Sequence, residues 1–289
     1  MKPSLVDPAE IPAQTLASGV TVVPVLDVAG AAGGRLAQRL VTIPAGAAYP
    51  GTAGPAGELW FVTSGSGMLE VGGRERAAAG QAVRLDAGQL DAGRLAVGPE
   101  HGVALPPGAV YRLTAEDAPR AGVLVVDAVT LPVTAAAMTA AAGPAAGEGV
   151  PRVTDLRDCA AEMTGDRRFR VLFGPATGYP AATQFVGEIP PGRAPDHRHA
   201  YDELVLVLAG EGVVHLVAEQ PGGEVTLSPG DGPDAVYPGE ATRALRPGSC
   251  VHLPPGQRHC LENTGPAMLR VLGVFQPGGS PAAKSAAEG

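Results

Sequence analysis

Three histidines and a carboxylate carry the most specific chemistry in this sequence. In the run PGRAPDHRHAYDELVLVLAG, His197, His199 and Glu203 are spaced by two and by four. Residues of one parity share a face of extended backbone, so the three side chains can project together. A further histidine, His259, follows a Pro-Pro-Gly turn in GSCVHLPPGQRHCLEN. Three imidazoles and one carboxylate suit a divalent transition ion: Fe(II), Mn(II), Ni(II), Cu(II) or Zn(II). The donor set alone does not choose among them. His101 lies in a loop with no ligand-spaced neighbour, and His215 and His252 read as structural or as supports behind a ligand. Tyr201 stands between two of the candidate ligands. Arg193 and Arg258, with Arg170, offer cations for an anionic substrate. Cys260 has the opposite parity to His259 and reads as buried wall rather than nucleophile.

The elements that must position these residues are strands, and they occur twice. IPAG at 43–46 recurs as IPPG at 189–192, ELWFVTSGSG at 58–67 as ELVLVLAGEG at 203–212, and LPPG at 105–108 as LPPG at 253–256. Three signals in one order at a nearly constant offset indicate two copies of one domain. Within a copy, β-branched runs such as TQFVGEI, ELVLVLA and MLRVLGVF are bounded by Gly or Pro, the pattern of short strands. LAGEGVV and TSGSGML read as hairpins with glycine at the turn. With Glu203 facing inward, Val205 and Val207 face inward too, and Leu204, Leu206 and Leu208 face out. In the first copy Trp60 and Val62 face in, Leu59 and Phe61 out. Strands apolar on both faces need cover on both, which is expected from the partner barrel or from a second chain in a homodimer.

Composition narrows the class further. The chain has 289 residues, room for two ordinary domains. Gly and Pro together make about a quarter of it, but 45% of residues are hydrophobic and 17% charged, which is not a disordered composition. A net charge of −8 disfavours nucleic acid as a partner. Lys2 and Lys284 are the only lysines, so no internal lysine can form a Schiff base. Cys159, Cys250 and Cys260 lack metal or disulfide spacing. No apolar run is long enough to span a membrane, and the N-terminus lacks a signal-peptide core. A cytoplasmic protein without membrane or nucleic-acid partners is expected.

The two motifs resemble those of the cupins, and the duplication resembles a bicupin. The pattern G-x(4–5)-H-x-H-x(3–4)-E-x6-G is matched by Gly192, His197, His199, Glu203 and Gly210. The pattern G-x5-P-x-G-x2-H-x3-N is matched by Gly248, Pro254, Gly256, His259 and Asn263. The resemblance implies an all-β fold of two tandem cupin barrels (double-stranded β-helix, or jelly roll). The expected boundaries are a degenerate N-terminal cupin at 15–132, an Ala/Gly-rich linker at 133–159, a metal-binding cupin at 160–278 and a disordered tail at 279–289. It also implies one divalent transition metal per chain on His197, His199, Glu203 and His259, with Fe first and Mn, Ni, Cu or Zn as alternatives. The first copy keeps Glu58, Gly65, Pro106 and Gly108 but has Thr52, Gly54 and Tyr111 where the histidines should stand. That barrel is expected to be metal-free, with Glu58 turned to another partner such as the Tyr111 hydroxyl.

The functional expectation is an Fe(II)-type dioxygenase acting on a small organic molecule. Glu203 and Tyr201 are its candidate catalytic residues, and Arg193 and Arg258 its candidate substrate-binding residues. The alternatives are a non-redox isomerase, decarboxylase or hydrolase using Mn, Ni or Zn, and a cupin that binds or senses a small molecule without turnover. Activity on oxalate is disfavoured, because the decarboxylases of that type resemble a chain with metal in both barrels. The stretch EQPGGEVTLSPGDGPDAVYPGE, within the 37 residues between Gly210 and Gly248, is expected to form a lid.

Overall fold

Short β-branched runs stopped by Gly or Pro become strands in both copies in the computed structural model, which describes residues 2–29, 35–72, 93–117, 122–132, 150–220, 222–227 and 235–282. The strands fall into two units, Pro12–Arg157 and Asp158–Gly289 with Met1–Ile11. Each unit holds a seven-stranded and a four-stranded antiparallel sheet. In the first, Trp60 and Val62 of the large sheet share a core with Leu69, Val71 and Leu113 of the small one. In the second, Val205, Val207 and Val271 share a core with Val214 and Leu216. Each side chain so buried contributes about 1.5–3 kcal/mol. These are the two tandem jelly-roll barrels.

The inward parity holds at all four core positions named above. The outward residues Leu59, Phe61, Leu204 and Leu206 are also buried, within the single chain.

Several local expectations are corrected. The segments around Gly65 and Gly210 are not hairpins. Glu58–Ser64 and Asp202–Ala209 lie in the seven-stranded sheets, whereas Gly67–Gly72 and Gly212–Val217 lie in the four-stranded ones. The glycine turn carries the chain from one sheet to the other. Gly210 has φ +86°, and a Cβ there would come within 2.7 Å of the Met268 carbonyl oxygen. Gly65, its counterpart, has φ +73° and would meet the Val123 carbonyl oxygen at 2.5 Å. Turn chemistry marks where a strand ends, not which strand it pairs with.

Domain boundaries also differ. Arg152–Asp155, within the expected linker, pairs with His101–Ala104 and ends the first seven-stranded sheet. Ser4–Val6 pairs with Cys250–His252 and ends the second. Both strands lie outside the repeated segments, and three or four residues carry too little periodicity to announce themselves. Part of the expected tail is ordered as well: Gly279 accepts from and donates to Thr183 Oγ1 at 2.8 and 2.9 Å. Residues 133–149 and 283–289, where linker and tail were expected, lie outside the described residues. In the expected lid, Glu224–Leu227 pairs with Ala235–Pro238, and Val225 and Leu227 are buried in the barrel core. None of its described residues lines the cavity described below. Its tip, 228–234, lies outside the described residues.

One buried carboxyl gives a pH-dependent expectation. Asp127 is buried, and burial pushes its pKa up to about 7, the hydrogen bond from Gln38 working the other way. Its Oδ2 has no hydrogen-bond partner. The unfolded chain ionises this group near its ordinary value of 3.8 and the folded chain near 7. Stability from this group is therefore full below about pH 4 and is lost as pH rises to 7. Asp127→Asn is expected to remove that loss, so its stability relative to wild type improves by on the order of 4 kcal/mol between pH 4 and pH 8. Denaturant midpoints at the two pH values check this; an unchanged difference rules it out.

Candidate metal centre

The two sequence motifs meet through backbone hydrogen bonds. His197 N–H donates to the His259 carbonyl at 2.9 Å, and His259 N–H donates to the His197 carbonyl at 2.8 Å. This isolated bridge sets two imidazoles side by side, with ring centroids 4.4 Å apart. Gly256 N–H donates to the His199 carbonyl at 2.7 Å. The turn of the second motif thus clamps the H-x-H segment of the first. His197 and His199 lie on irregular chain between the strands Gly192–Arg193 and Asp202–Ala209 rather than within a strand. Glu203 does sit on a strand, opposite Leu253 and Phe275.

Together these contacts converge the side chains. One ring nitrogen from each of His197, His199 and His259 falls within 4.8 Å of the others. His199 Nε2 is 3.0 Å from Glu203 Oε2. That nitrogen is buried and makes no hydrogen bond of proper geometry. His197 Nδ1 faces the Pro195 carbonyl at 3.1 Å and His259 Nδ1 the Gln257 carbonyl at 2.8 Å. A backbone carbonyl behind Nδ1 fixes the ring and leaves Nε2 free as a donor to a cation. Such an orphaned, converging donor set fits a transition ion.

Electrostatics agree with neutral donors around one anion. Burial, then the neighbouring His197, pushes His259 down to about 4. Burial and His199 push His197 down as well. Burial disfavours the Glu203 carboxylate, yet the close approach of His199, with His259 and His197 nearby, holds it below its ordinary range. Tyr201 is stacked between His199 and Phe275, with centroids 4.7 and 4.4 Å away. Burial, reinforced by Glu203, pushes its phenol well above its ordinary range. Asn263 closes the second motif from outside the site, donating to the Ile189 and Ala267 carbonyls at 2.8 and 2.7 Å.

The arginines are not where the sequence reading puts them. Arg193 reaches Asp196 at 3.3 Å and Glu240 at 3.4 Å, and Arg258 reaches Asp196 at 3.1 Å. Neither lines the cavity beside the histidines. Arg258 follows strand parity away from its neighbour His259. Arg170 is turned to Glu188, 3.6 Å away. The cavity instead receives Arg167 and Arg168, with Glu188, Phe185 and Pro281, residues that no motif spacing marks. The three remaining histidines all face carboxylates: His101, expected in a loop, begins the strand His101–Leu105 with its Nε2 3.4 Å from Asp155, His252 Nε2 faces Asp202 at 2.9 Å, and His215 lies between Glu240 and Glu262 at 2.5 and 2.7 Å. Cys260 is fully buried.

In the N-terminal barrel the equivalent carboxylate has a different cation. Glu58 accepts from Arg39 Nη2 at 2.7 Å, from Trp60 Nε1 at 2.8 Å and from Thr130 Oγ1 at 3.3 Å. Tyr111 does not bond Glu58; its hydroxyl accepts from the same Arg39 nitrogen at 3.3 Å. Trp60 packs edge-on against Tyr111 at 4.6 Å. Among the described residues, no histidine-containing metal cluster accompanies this group. Arg39 lies outside both repeated motifs, and only the unmet charge of Glu58 hints at it.

No protein-family model matches the chain, and no curated protein matches it significantly. Solved structures do. An oxalate decarboxylase variant from Bacillus subtilis superposes with a TM-score of 0.64 at 13% identity, covering 95% of this chain and 77% of that one. The formate complex of Lactobacillus farciminis oxalate decarboxylase gives 0.63 at 14% identity, covering 94% and 86%. A further B. subtilis oxalate decarboxylase structure, described by its Mn(II) centres, gives 0.63 at 11% identity, covering 96% and 78%. The two-barrel cupin fold is thus shared along nearly the whole chain. No helix among the described residues is long and apolar enough to cross a membrane.

Proposed function

We propose that this chain is a metal-dependent enzyme in which His197, His199, His259 and Glu203 of the C-terminal barrel hold one divalent transition ion beside a cavity for a small organic acid. The observation that carries the reading is the buried His199 Nε2, 3.0 Å from Glu203 and without a hydrogen bond, among rings whose far nitrogens face backbone carbonyls. A bound ion would supply Lewis acidity to a coordinated oxygen. The chain's own groups do the rest. Glu203 stays ionised, Tyr201 stays protonated and available as a donor, and Phe275, Phe185, Val271 and Leu253 exclude water from the cavity.

The names of the fold neighbours favour decarboxylation over oxygenation and manganese over iron. The expectation of iron with dioxygen gains no support from them. An apolar wall suits a carboxylate with a hydrocarbon body better than oxalate, whose oxygens all need polar partners. The test is elemental analysis followed by turnover. Protein reloaded with Mn(II) is expected to hold one equivalent per chain and to release CO2 from members of an alkyl and aryl carboxylate panel without net O2 consumption. Two equivalents, none, or O2 consumed in step with substrate would each overturn this reading.

A further inference from the structure

Two arginines, Arg167 and Arg168, and one carboxylate, Glu188, line this cavity, and two further arginines approach the carboxylate. The strands Ala161–Thr164 and Arg167–Phe173 are joined across Gly165, whose φ is +63°. This tight turn places Thr164, Arg167 and Arg168 at the cavity. Arg168 is committed: its Nε and Nη2 both bond Glu188 Oε2, the former at 2.6 Å. Arg170 and Arg270 approach the other Glu188 oxygen at 3.6 and 3.8 Å. Glu188 is thereby saturated with positive charge.

Arg167 is left over. It makes no ion pair with a described residue, and its Nε is buried without a hydrogen-bond partner. A guanidinium at a partly apolar cavity with its Nε buried and unpartnered gains from an anion that completes it, and a planar carboxylate fits its fork of donors. We infer that Arg167 is the anion-receiving residue of the C-terminal cavity, binding the carboxylate of a small, largely apolar acid whose body lies against the phenylalanine wall. This inference rests on the reading that the cavity is the substrate site, but not on any ion being present.

The probes are benzoate and its uncharged counterpart benzamide, titrated calorimetrically into the full chain after chelation and dialysis. Wild type is expected to prefer benzoate. Arg167→Gln is expected to weaken benzoate about tenfold and to leave benzamide within about twofold, while Arg167→Lys keeps part of the preference. Unchanged Mn(II) stoichiometry in Arg167→Gln, read by elemental analysis, is expected alongside. A wild type with no preference for benzoate, including failure to bind either probe, overturns the inference. So does a variant that keeps benzoate affinity or loses both probes equally. Failure of Mn(II) to bind any of the proteins would overturn the metal reading while leaving the benzoate result to decide this one.

Discussion

His199→Ala protein, stripped with chelator and dialysed against Mn(II), is expected to retain less than about a tenth of the wild-type metal content. His199 is the imidazole that approaches the carboxylate of the donor set. Its ring lies 4.9 Å from that of His197 and 5.1 Å from that of His259, and its Nε2 faces Glu203. Removing a residue that only orients a ligand costs about 10–100-fold in affinity, and removing the donor itself is expected to exceed that. Arg258→Gln, which alters a residue outside the cavity, is the control and should keep full occupancy. Circular dichroism on the same samples separates loss of metal from loss of fold. A folded His199→Ala protein with wild-type metal content would remove the ligand assignment.

Arg39→Met is expected to destabilise the protein by on the order of 2–4 kcal/mol. Glu58 is almost wholly buried, with 4% of its side chain exposed against 19% for Arg39. Burial works against the Arg39 charge, but Glu58, Tyr111 and Tyr49 hold it on. Without the guanidinium the carboxylate keeps only neutral donors from Trp60 and Thr130. Breaking one side of a buried pair costs more than replacing both. The double variant Arg39→Met, Glu58→Leu is therefore expected to recover most of the loss. Urea midpoints of the two variants check this, and a single variant within about 0.5 kcal/mol of wild type would show that the pair contributes little.

These two experiments address one repeated carboxylate given two different sets of partners. Glu203 faces three imidazoles, and Glu58 faces a guanidinium and an indole. The substitution of Thr52, Gly54 and Tyr111 for the histidines was legible, because spacing within a repeat is local. Arg39 was not, because it reaches Glu58 from a strand separated by nineteen positions. Arg193 and Arg258 were misplaced for a related reason. Proximity to a motif in sequence says little about the cavity when parity and Asp196 turn both side chains away.

The sequence by itself determined the two-copy, all-β architecture, the inward parity of the core residues and the grouping of His197, His199, Glu203 and His259. Each of these depends on local period, turn residues or motif spacing. Only the tertiary structure decided which strands pair across the Gly65 and Gly210 turns and that Ser4–Val6 and Arg152–Asp155 end the two large sheets. It alone brought Arg167 to the cavity and Arg39 to Glu58. Those outcomes follow from burial and pairing between residues distant in sequence, where a charged side chain goes to whichever counter-charge or cavity the closed barrel leaves within reach.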